Sequence, residues 1–188
     1  MLRQMSKLNI PSLTGNRVVL RAARSEDAIA RFKIGRHPEI FRMYGGSLKD
    51  LLPMTVDDAN RWVQELIEHE YAWVIETHST VGHIRLDQVN IIDRRASLAV
   101  GIDDPASLGQ GIGPEAIGLV QHFAFDKLKL HRLSLRVLAY NSRAIRAYEK
   151  CGFKVEGRER EAAFVDCKWH DDLMMGILKR EFAAAIED

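Results

Sequence analysis

The apolar positions of the chain follow two different periods, and the period of each segment predicts its secondary structure. Trp62, Val63, Leu66 and Ile67 recur at the three- and four-residue spacing of one helix face, and Thr55 precedes them as a typical capping residue. Similar spacing predicts further helices at residues 25–32, 114–128 and 141–152, with a short helix or frayed end from residue 179. Each of these helices is expected to bury one face.

Segments with a two-residue period, or with short apolar runs, predict strands. They lie at residues 18–20, 71–77, 81–89, 96–103, 131–139, 153–161 and 167–178. Short polar turns join the second, third and fourth strands, which predicts an antiparallel meander. A helix connects the fourth strand to the fifth, so these two are expected to be parallel. The predicted fold class is α/β (α+β), a mixed but mostly antiparallel sheet of six to seven strands flanked by helices.

Composition narrows the class of protein. The chain has 188 residues, 46% of them hydrophobic and 28% charged, with a formal net charge of +1. We therefore expect a single globular domain over residues 1–188, with a core at about 16–178. The balanced charge gives no general attraction to nucleic acid or to a membrane surface.

The remaining sequence-wide features concern location and metals. The amino-terminal stretch lacks the apolar core of a signal peptide, and no apolar run is long enough to span a membrane. Cys151 and Cys167 have no metal-binding spacing, so no metal site is predicted, and reduced thiols are expected. A cytoplasmic protein is the corresponding expectation.

The segment SLGQGIGPEAIG, residues 107–118, places Gly109, Gly111 and Gly113 directly before a predicted helix. Such a cluster is either a tight turn or a cradle in which main-chain N–H groups and the helix dipole hold a phosphate. Pro114 and Glu115 stand where a P-loop needs Lys and Ser or Thr, so that motif is excluded. A dinucleotide fingerprint is excluded as well, because its third glycine position is occupied by Pro114.

A second motif follows the next predicted strand. It reads NSRAIRAYEKCGF and has its characteristic residues at Asn141, Ala144, Tyr148, Lys150, Gly152 and Phe153. Together with GQGIGPEA, it resembles the GNAT superfamily of acyl-CoA-dependent N-acetyltransferases, most of all the ribosomal-protein N-terminal acetyltransferase branch. The resemblance covers about residues 16–178.

That resemblance implies a V-shaped split between the fourth and fifth strands, with a bulge near residues 99–101, in which acetyl-CoA binds as a cosubstrate. The implied coenzyme-binding residues are Ala99, Val100, Gly101, Ile102, Gly109, Gln110, Gly111, Ile112, Gly113, Asn141, Ala144 and Arg146. Main-chain amides of the glycine segment would hold the diphosphate, and the fourth strand would hydrogen-bond the pantetheine arm. Leu108 departs from the Gln or Arg that the family usually has at this position.

The resemblance also implies the catalytic residues. Tyr148 is the expected acid that protonates the departing thiolate. The base stays open, because Ser97 stands where similar chains often have a glutamate. His83, Asp87 and Glu161 are the alternatives, acting directly or through water.

The expected function is acetyl transfer from acetyl-CoA to a primary amine, either a protein N-terminus or a small molecule, by direct attack on the thioester. A non-catalytic acyl-CoA-binding module of the same fold is the alternative. Acidic residues on the predicted acceptor side are either a solvated surface or an attraction for a cationic amine. The expected partner is this amine, with no nucleic acid and no membrane, and the resemblance admits a homodimer.

Overall fold

A computed structural model describes residues 10–187, so most of the stretch considered for a signal peptide lies outside the described residues. Its strands are β1 Leu13–Thr14, β2 Val19–Arg21, β3 Ala72–Glu76, β4 Thr80–Asn90, β5 Arg95–Ile102, β6 Arg132–Leu138, β7 Lys154–Val165 and β8 Lys168–Leu178. Its helices are α1 Asp27–Ile34, α2 Pro38–Met43, α3 Val56–Glu68, α4 Ile112–His122, α5 Ser142–Lys150 and α6 Lys179–Glu187. Within this range no helix has the length and apolar composition that crossing a membrane requires.

The strands form one sheet in the order β1-β2-β3-β4-β5-β6-β8-β7. The predicted meander is confirmed, because β3, β4 and β5 pair in sequence as antiparallel neighbours. The parallel pair is confirmed between β5 and β6, with α4 in the connection. The described sheet has eight strands rather than six or seven, since the short β1 pairs with β2 through Leu13 and Thr14.

The predicted split is present between β5 and β6. The two strands pair at Arg95, Ala96 and Ser97, which lie opposite Arg132, Leu133 and Ser134. Beyond this point β6 continues to pair with β8 as far as Leu138, while β5 continues to pair with β4 as far as Ile102. The sheet therefore divides into two arms, and the fork lies at Ser97 and Ser134.

The expected bulge near residues 99–101 is wrong. The register between β4 and β5 is continuous from Ile102 opposite Gly82 to Ser97 opposite Asp87. The irregularity lies further along, between Asp87 and Asn90. The arms separate because β6 stays with β8 and diverges from β5, and β5 itself keeps a regular register.

Helices cover both faces of the sheet. On one face, α4 and α5 pack on a large apolar cluster that includes Ile84, Leu98, Ile117, Leu133 and Tyr148. On the other face, α1 and α3 form smaller clusters, in which Leu66 packs with Ala72 and Val74 of β3. Because side chains alternate along a strand, consecutive residues of β5 face these two different layers.

The last hairpin is longer than predicted. β7 continues past residue 161 to Val165, and the turn before β8 consists of Asp166 and Cys167, both with positive φ angles. Two such residues are typical of the tight turn that suits the twist of a hairpin. Glu161 also has a positive φ and lies at a break in the β7–β8 register.

A buried ion pair fixes α1 against the sheet. Arg21 of β2 donates to both oxygens of Asp27, at 2.8 and 2.7 Å, and Thr80 of β4 donates to Asp27 at 2.7 Å. Both members of the pair are buried. Burial alone would raise the pKa of Asp27, but hydrogen bonds from Arg21, the Arg24 N–H and Thr80 outweigh it, so the pKa is lowered.

We predict that Asp27→Asn lowers the free energy of unfolding by about 2 kcal/mol, because it removes one of the two carboxylates that pair with the buried Arg21 and leaves only Glu76. The lowered pKa means that this contribution is complete above about pH 4 and is lost as the pH falls below that value. Urea unfolding at several pH values measures both effects. Asp50→Asn, at an exposed position, is the control. Equal stability of Asp27→Asn and the control at neutral pH would contradict the assignment.

Candidate active site

A cavity of about 440 Å³ occupies the split between β5 and β6. Its walls come from the end of β5, the glycine segment, the first turns of α4, the inner face of α5 and the end of α2. The lining residues are Ile40, Met43, Tyr44, Val100, Ile102, Ser107, Leu108, Gly109, Gly111, Ile112, Gly113, Pro114, Ile117, Asn141, Arg143, Ala144, Arg146, Ala147, Tyr148 and Lys150. Both sequence motifs therefore meet in one cavity.

The glycine segment forms the start of α4. Gly109 and Gly111 have φ angles of 75° and 77°, and Gly111 is the capping residue of the helix. A Cβ atom at Gly109 would meet no other atom within 4 Å. These left-handed conformations suit glycine and leave main-chain N–H groups at the positive end of the helix dipole. The segment has the form of an anion cradle.

Arg17 holds this segment in place. Its Nη1 donates to the Gln110 carbonyl oxygen at 2.7 Å, and its main-chain N–H donates to Glu115 at 2.8 Å. Partial burial alone would raise the pKa of Glu115, but hydrogen bonds from the main-chain N–H groups of Arg17, Asn16 and Val18 and the nearby Arg17 charge outweigh it, so the pKa is lowered. The edge of the sheet at β2 is thereby tied to the first turn of α4.

The charge of the cavity is one-sided. Arg143, Arg146 and Lys150 of α5 line it, and no carboxylate is among its lining residues. Arg143 is partly neutralised by Glu39, which lies 2.8 Å away. Cations around a cradle of free N–H groups suit a ligand that carries several phosphates.

Asn141 and Tyr148 take different places on α5. Asn141 is buried, its side-chain oxygen accepts from the Ala144 N–H at 3.1 Å, and its Nδ2 donates to the Met43 carbonyl at 3.3 Å. It thus caps α5 and ties it to α2. Tyr148 is 9% exposed, and its hydroxyl makes no hydrogen bond within residues 10–187. Burial raises the pKa of Tyr148 to about 12, so its phenol is protonated at neutral pH.

The last turn of α2 and Tyr44, which follows it, bridge the two arms of the split, which the sequence motifs did not predict. Tyr140, beyond β6, donates to the Arg42 carbonyl at 2.7 Å. On the opposite arm, the Tyr44 hydroxyl donates to the Ile102 carbonyl at 3.2 Å. Because α2 has only six residues, its apolar pattern is too short to be recognised, and Pro38 at its first position is the single local signal.

The candidate base residues lie on the other face of the sheet or away from it. Ser97 is at the fork, opposite Ser134 on one side and Asp87 on the other. Both oxygens of Asp87 are held, by Arg85 at 2.9 and 3.1 Å and by His69 at 2.9 Å. Glu161 is exposed on the edge strand β7 and lines neither the cavity nor the groove described next.

His83 lies between a groove and a buried carboxylate. The groove, of about 430 Å³, is lined by Trp62, Glu65, Leu66, Glu68, His69, His83, Arg85 and Asp87. The Nδ1 of His83 lies 3.5 Å from Oδ2 of Asp103, and neither atom has a hydrogen-bond partner within the described residues. Arg31 of α1 lies 3.7 Å from the other oxygen of Asp103.

Most of the predicted coenzyme-binding residues line the cavity, namely Val100, Ile102, Gly109, Gly111, Ile112, Gly113, Asn141, Ala144 and Arg146. Ala99 and Gly101 do not, because alternation along β5 turns them to the other face. Gln110 does not either, since its side-chain amide donates to the Ala106 carbonyl. The contribution of α2 was missed altogether.

The chain is similar to proteins of known class. A family model described as an acetyltransferase (GNAT) domain matches residues 17–154. Spermidine N(1)-acetyltransferase from Vibrio cholerae is 28% identical over 123 residues, which are 65% of this chain and 70% of that protein. A putative ribosomal N-acetyltransferase from Bacillus subtilis is 29% identical over 104 residues, which are 55% of this chain and 56% of the relative.

Solved structures share the fold. A GCN5-related N-acetyltransferase from Brucella melitensis superposes with a TM-score of 0.79 at 17% identity, covering 97% of this chain and 85% of that chain. A spermidine N-acetyltransferase from Vibrio cholerae, solved with CoA and spermine, gives a TM-score of 0.74 at 24% identity over 90% and 99% of the two chains. Since the family model spans well over half of the sequence, the protein belongs to the GNAT family of acetyltransferases.

Proposed function

We propose that the protein transfers the acetyl group of acetyl-CoA to a primary amine. One observation carries this proposal: a single cavity joins the glycine cradle and its surrounding cations to the unpaired hydroxyl of Tyr148. A coenzyme with phosphates at one end and a thioester at the other needs these two kinds of group in one cavity. The residues present therefore fit acetyl-CoA.

The coenzyme-binding roles follow from the chemistry of each wall. The N–H groups at Gly109, Gly111 and Gly113 would hold the diphosphate. Arg146 and Lys150 would bind the phosphate of CoA that is not part of the diphosphate. Beyond the fork, β5 has no pairing with β6. The main chain of Val100 and Ile102 would pair there with the amides of the pantetheine, which would act as a substitute strand.

The reaction moves two protons. The lone pair of a neutral amine attacks the thioester carbonyl carbon, the amine loses a proton to a base, and the carbon–sulfur bond breaks. The departing thiolate then takes a proton from the Tyr148 hydroxyl, which burial keeps protonated. Beyond the fork at Ser97 the sheet is open between its two faces. The amine would therefore arrive from the face opposite Tyr148.

The acceptor is proposed to be a cationic small amine or a protein N-terminus. Relatives named for spermidine and for ribosomal substrates make both reasonable. The groove on the second face includes Glu65 and Glu68, whose negative charges favour a cationic acceptor. A module that binds CoA without acyl transfer is the alternative, which rests on Ser97 replacing a carboxylate at the fork.

An assay of thiol release with acetyl-CoA separates these possibilities. The purified protein is tested with spermidine, simple monoamines and peptides with free N-termini, and the products are identified by mass spectrometry. We expect a mass increase of one acetyl group on at least one amine class, with thiol release that depends on the amine. CoA binding without an acetylated product from any amine would favour the binding module and reject the enzyme.

We predict that Tyr148→Phe lowers kcat by about 10- to 100-fold and leaves the dissociation constant of CoA nearly unchanged, because only the proton donor is removed. Steady-state kinetics and calorimetric titration measure the two quantities. Tyr71→Phe is the matched control, since Tyr71 packs on Phe123 away from the cavity. Unchanged turnover in Tyr148→Phe would remove the acid role.

We predict that Gly109→Ala weakens CoA binding by at least about tenfold, because a side chain enters the cradle and the residue must keep a positive φ. Gly35→Ala is a close control, since Gly35 has a φ of 71° and equally open surroundings but lies outside the cavity. Both variants place a Cβ atom at a positive φ. Equal CoA affinity in the two variants would show that the glycine segment does not hold the coenzyme.

A further inference from the structure

We propose that Asp103 positions His83 as the proton acceptor for the attacking amine. This inference rests on the proposed acetyl transfer and adds its missing base. The family resemblance pointed to the position of Ser97, and it assigned no role to Asp103. The pair is assembled from β4 and from the residue that follows β5, and it lies on the face opposite Tyr148, beyond the fork and towards the open end of the split.

The first observation is the burial of complementary atoms. Asp103 is 5% exposed, and its Oδ2 is a buried acceptor without a hydrogen-bond partner among the described residues. His83 Nδ1 is a buried ring nitrogen in the same condition, 3.5 Å away. A small rotation of the ring makes Nδ1–H donate to Oδ2, and hydrogen bonds of catalytic groups are often long before substrate binds. Nε2 then keeps a free lone pair.

The second observation is the neighbourhood of Gly101. A Cβ atom at this residue would lie 2.8 Å from His83 Cε1 and 2.8 Å from the Tyr44 hydroxyl oxygen. Tyr44 itself lines the coenzyme cavity. The imidazole edge that carries Cε1 therefore lies against bare main chain at the junction between the cavity and the groove. Nδ1, which is bonded to Cε1, is also close to this position, at 3.3 Å, so the edge of the ring that faces Asp103 is fixed against the main chain of β5.

The third observation is the set of charges around the imidazole. Asp103 after β5, Arg31 of α1 and Tyr44 after α2 lie on one side of it. The groove that His83 lines also contains Glu65, Glu68, His69, Arg85 and Asp87. Arg31 compensates part of the Asp103 charge. Burial and the nearby Asp103 raise the pKa of Tyr44. Its phenol therefore stays protonated and does not compete with His83 for the amine proton.

The proton balance is complete. As the amine nitrogen forms its bond to the carbonyl carbon, its N–H bond breaks and the proton passes to Nε2 of His83. Tyr148 donates a separate proton to the sulfur on the other face. The imidazolium then loses its proton to solvent along the groove that His83 lines with Glu65 and Glu68.

The test uses the full chain and the amine identified by the transfer assay. We expect His83→Gln to lower kcat/KM for the amine by about 100-fold. We expect Asp103→Asn to lower it by about tenfold and to move the acid limb of its pH profile to lower pH by about one unit. The shift follows because an amide no longer stabilises the protonated ring. CoA affinity should stay unchanged in both variants, which also reports correct folding.

Two controls separate positioning from general damage. Asp126→Asn removes the partner of His122 in an exposed histidine–aspartate pair, at 3.3 Å, and should change neither quantity. His69→Gln removes the other histidine of the groove, and a shifted acid limb in this variant alone would overturn the assignment of His83. Unchanged pH profiles in both His83→Gln and Asp103→Asn would overturn the proposal while acetyl transfer stands.

Nitrogen-15 NMR of the imidazole gives a readout independent of turnover. We expect the His83 ring to carry its proton on Nδ1 in the native protein, and to become a mixture of both tautomers in Asp103→Asn. A native ring protonated on Nε2 would overturn the proposal. If the native protein acetylates no amine, the proposed function fails, and the NMR result still decides whether Asp103 sets the tautomer.

Discussion

The loss of pairing between β5 and β6 is the constraint on which the rest of the structure depends. Beyond Ser97 and Ser134, each arm has main-chain groups without a neighbouring strand, and such groups must find other partners. Tyr44, after α2, supplies part of the answer, since its hydroxyl donates to the main-chain carbonyl of Ile102. The Arg42 carbonyl of α2 accepts from the Tyr140 side chain beyond β6 and ties the other arm to the same helix. The split between β5 and β6 is therefore bridged at its wide end, and it stays open along the cavity.

The supporting interactions fix the positions of the two layers of helices on this divided sheet. The Arg21–Asp27 pair sets α1 against β2 and β4, and α1 in turn brings Arg31 to Asp103. On the other layer, Arg17 fixes the glycine segment where α4 begins. The buried Arg21 and the exposed Arg17 thus position opposite sides of the site from neighbouring parts of the chain.

Sequence patterns predicted the features that depend on local conformation. The glycines of residues 109–113 and the cap of α5 at Asn141 act within a few residues, so their spacing carries the information. The β3–β4–β5 meander and the parallel β5–β6 pair also followed from connection lengths, whereas the position of β8 between β6 and β7 did not. The bridge at Tyr44 and the pairing of His83 with Asp103 could not be predicted, because they join elements that are distant in sequence. The bulge was expected by resemblance alone, and the divergence of β6 makes it unnecessary.

Side chains of β5 alternate between the two faces of the sheet, and the two faces tolerate mutation differently. On the cavity side, the glycine segment presents main-chain atoms, which an ordinary substitution cannot replace without changing the backbone. On the groove side, the lining consists of side chains such as Trp62, Glu65 and His83. Substitutions at Trp62 or Glu65 therefore alter the groove through side chains alone, whereas the cavity face depends on a backbone conformation that few residues other than glycine can adopt.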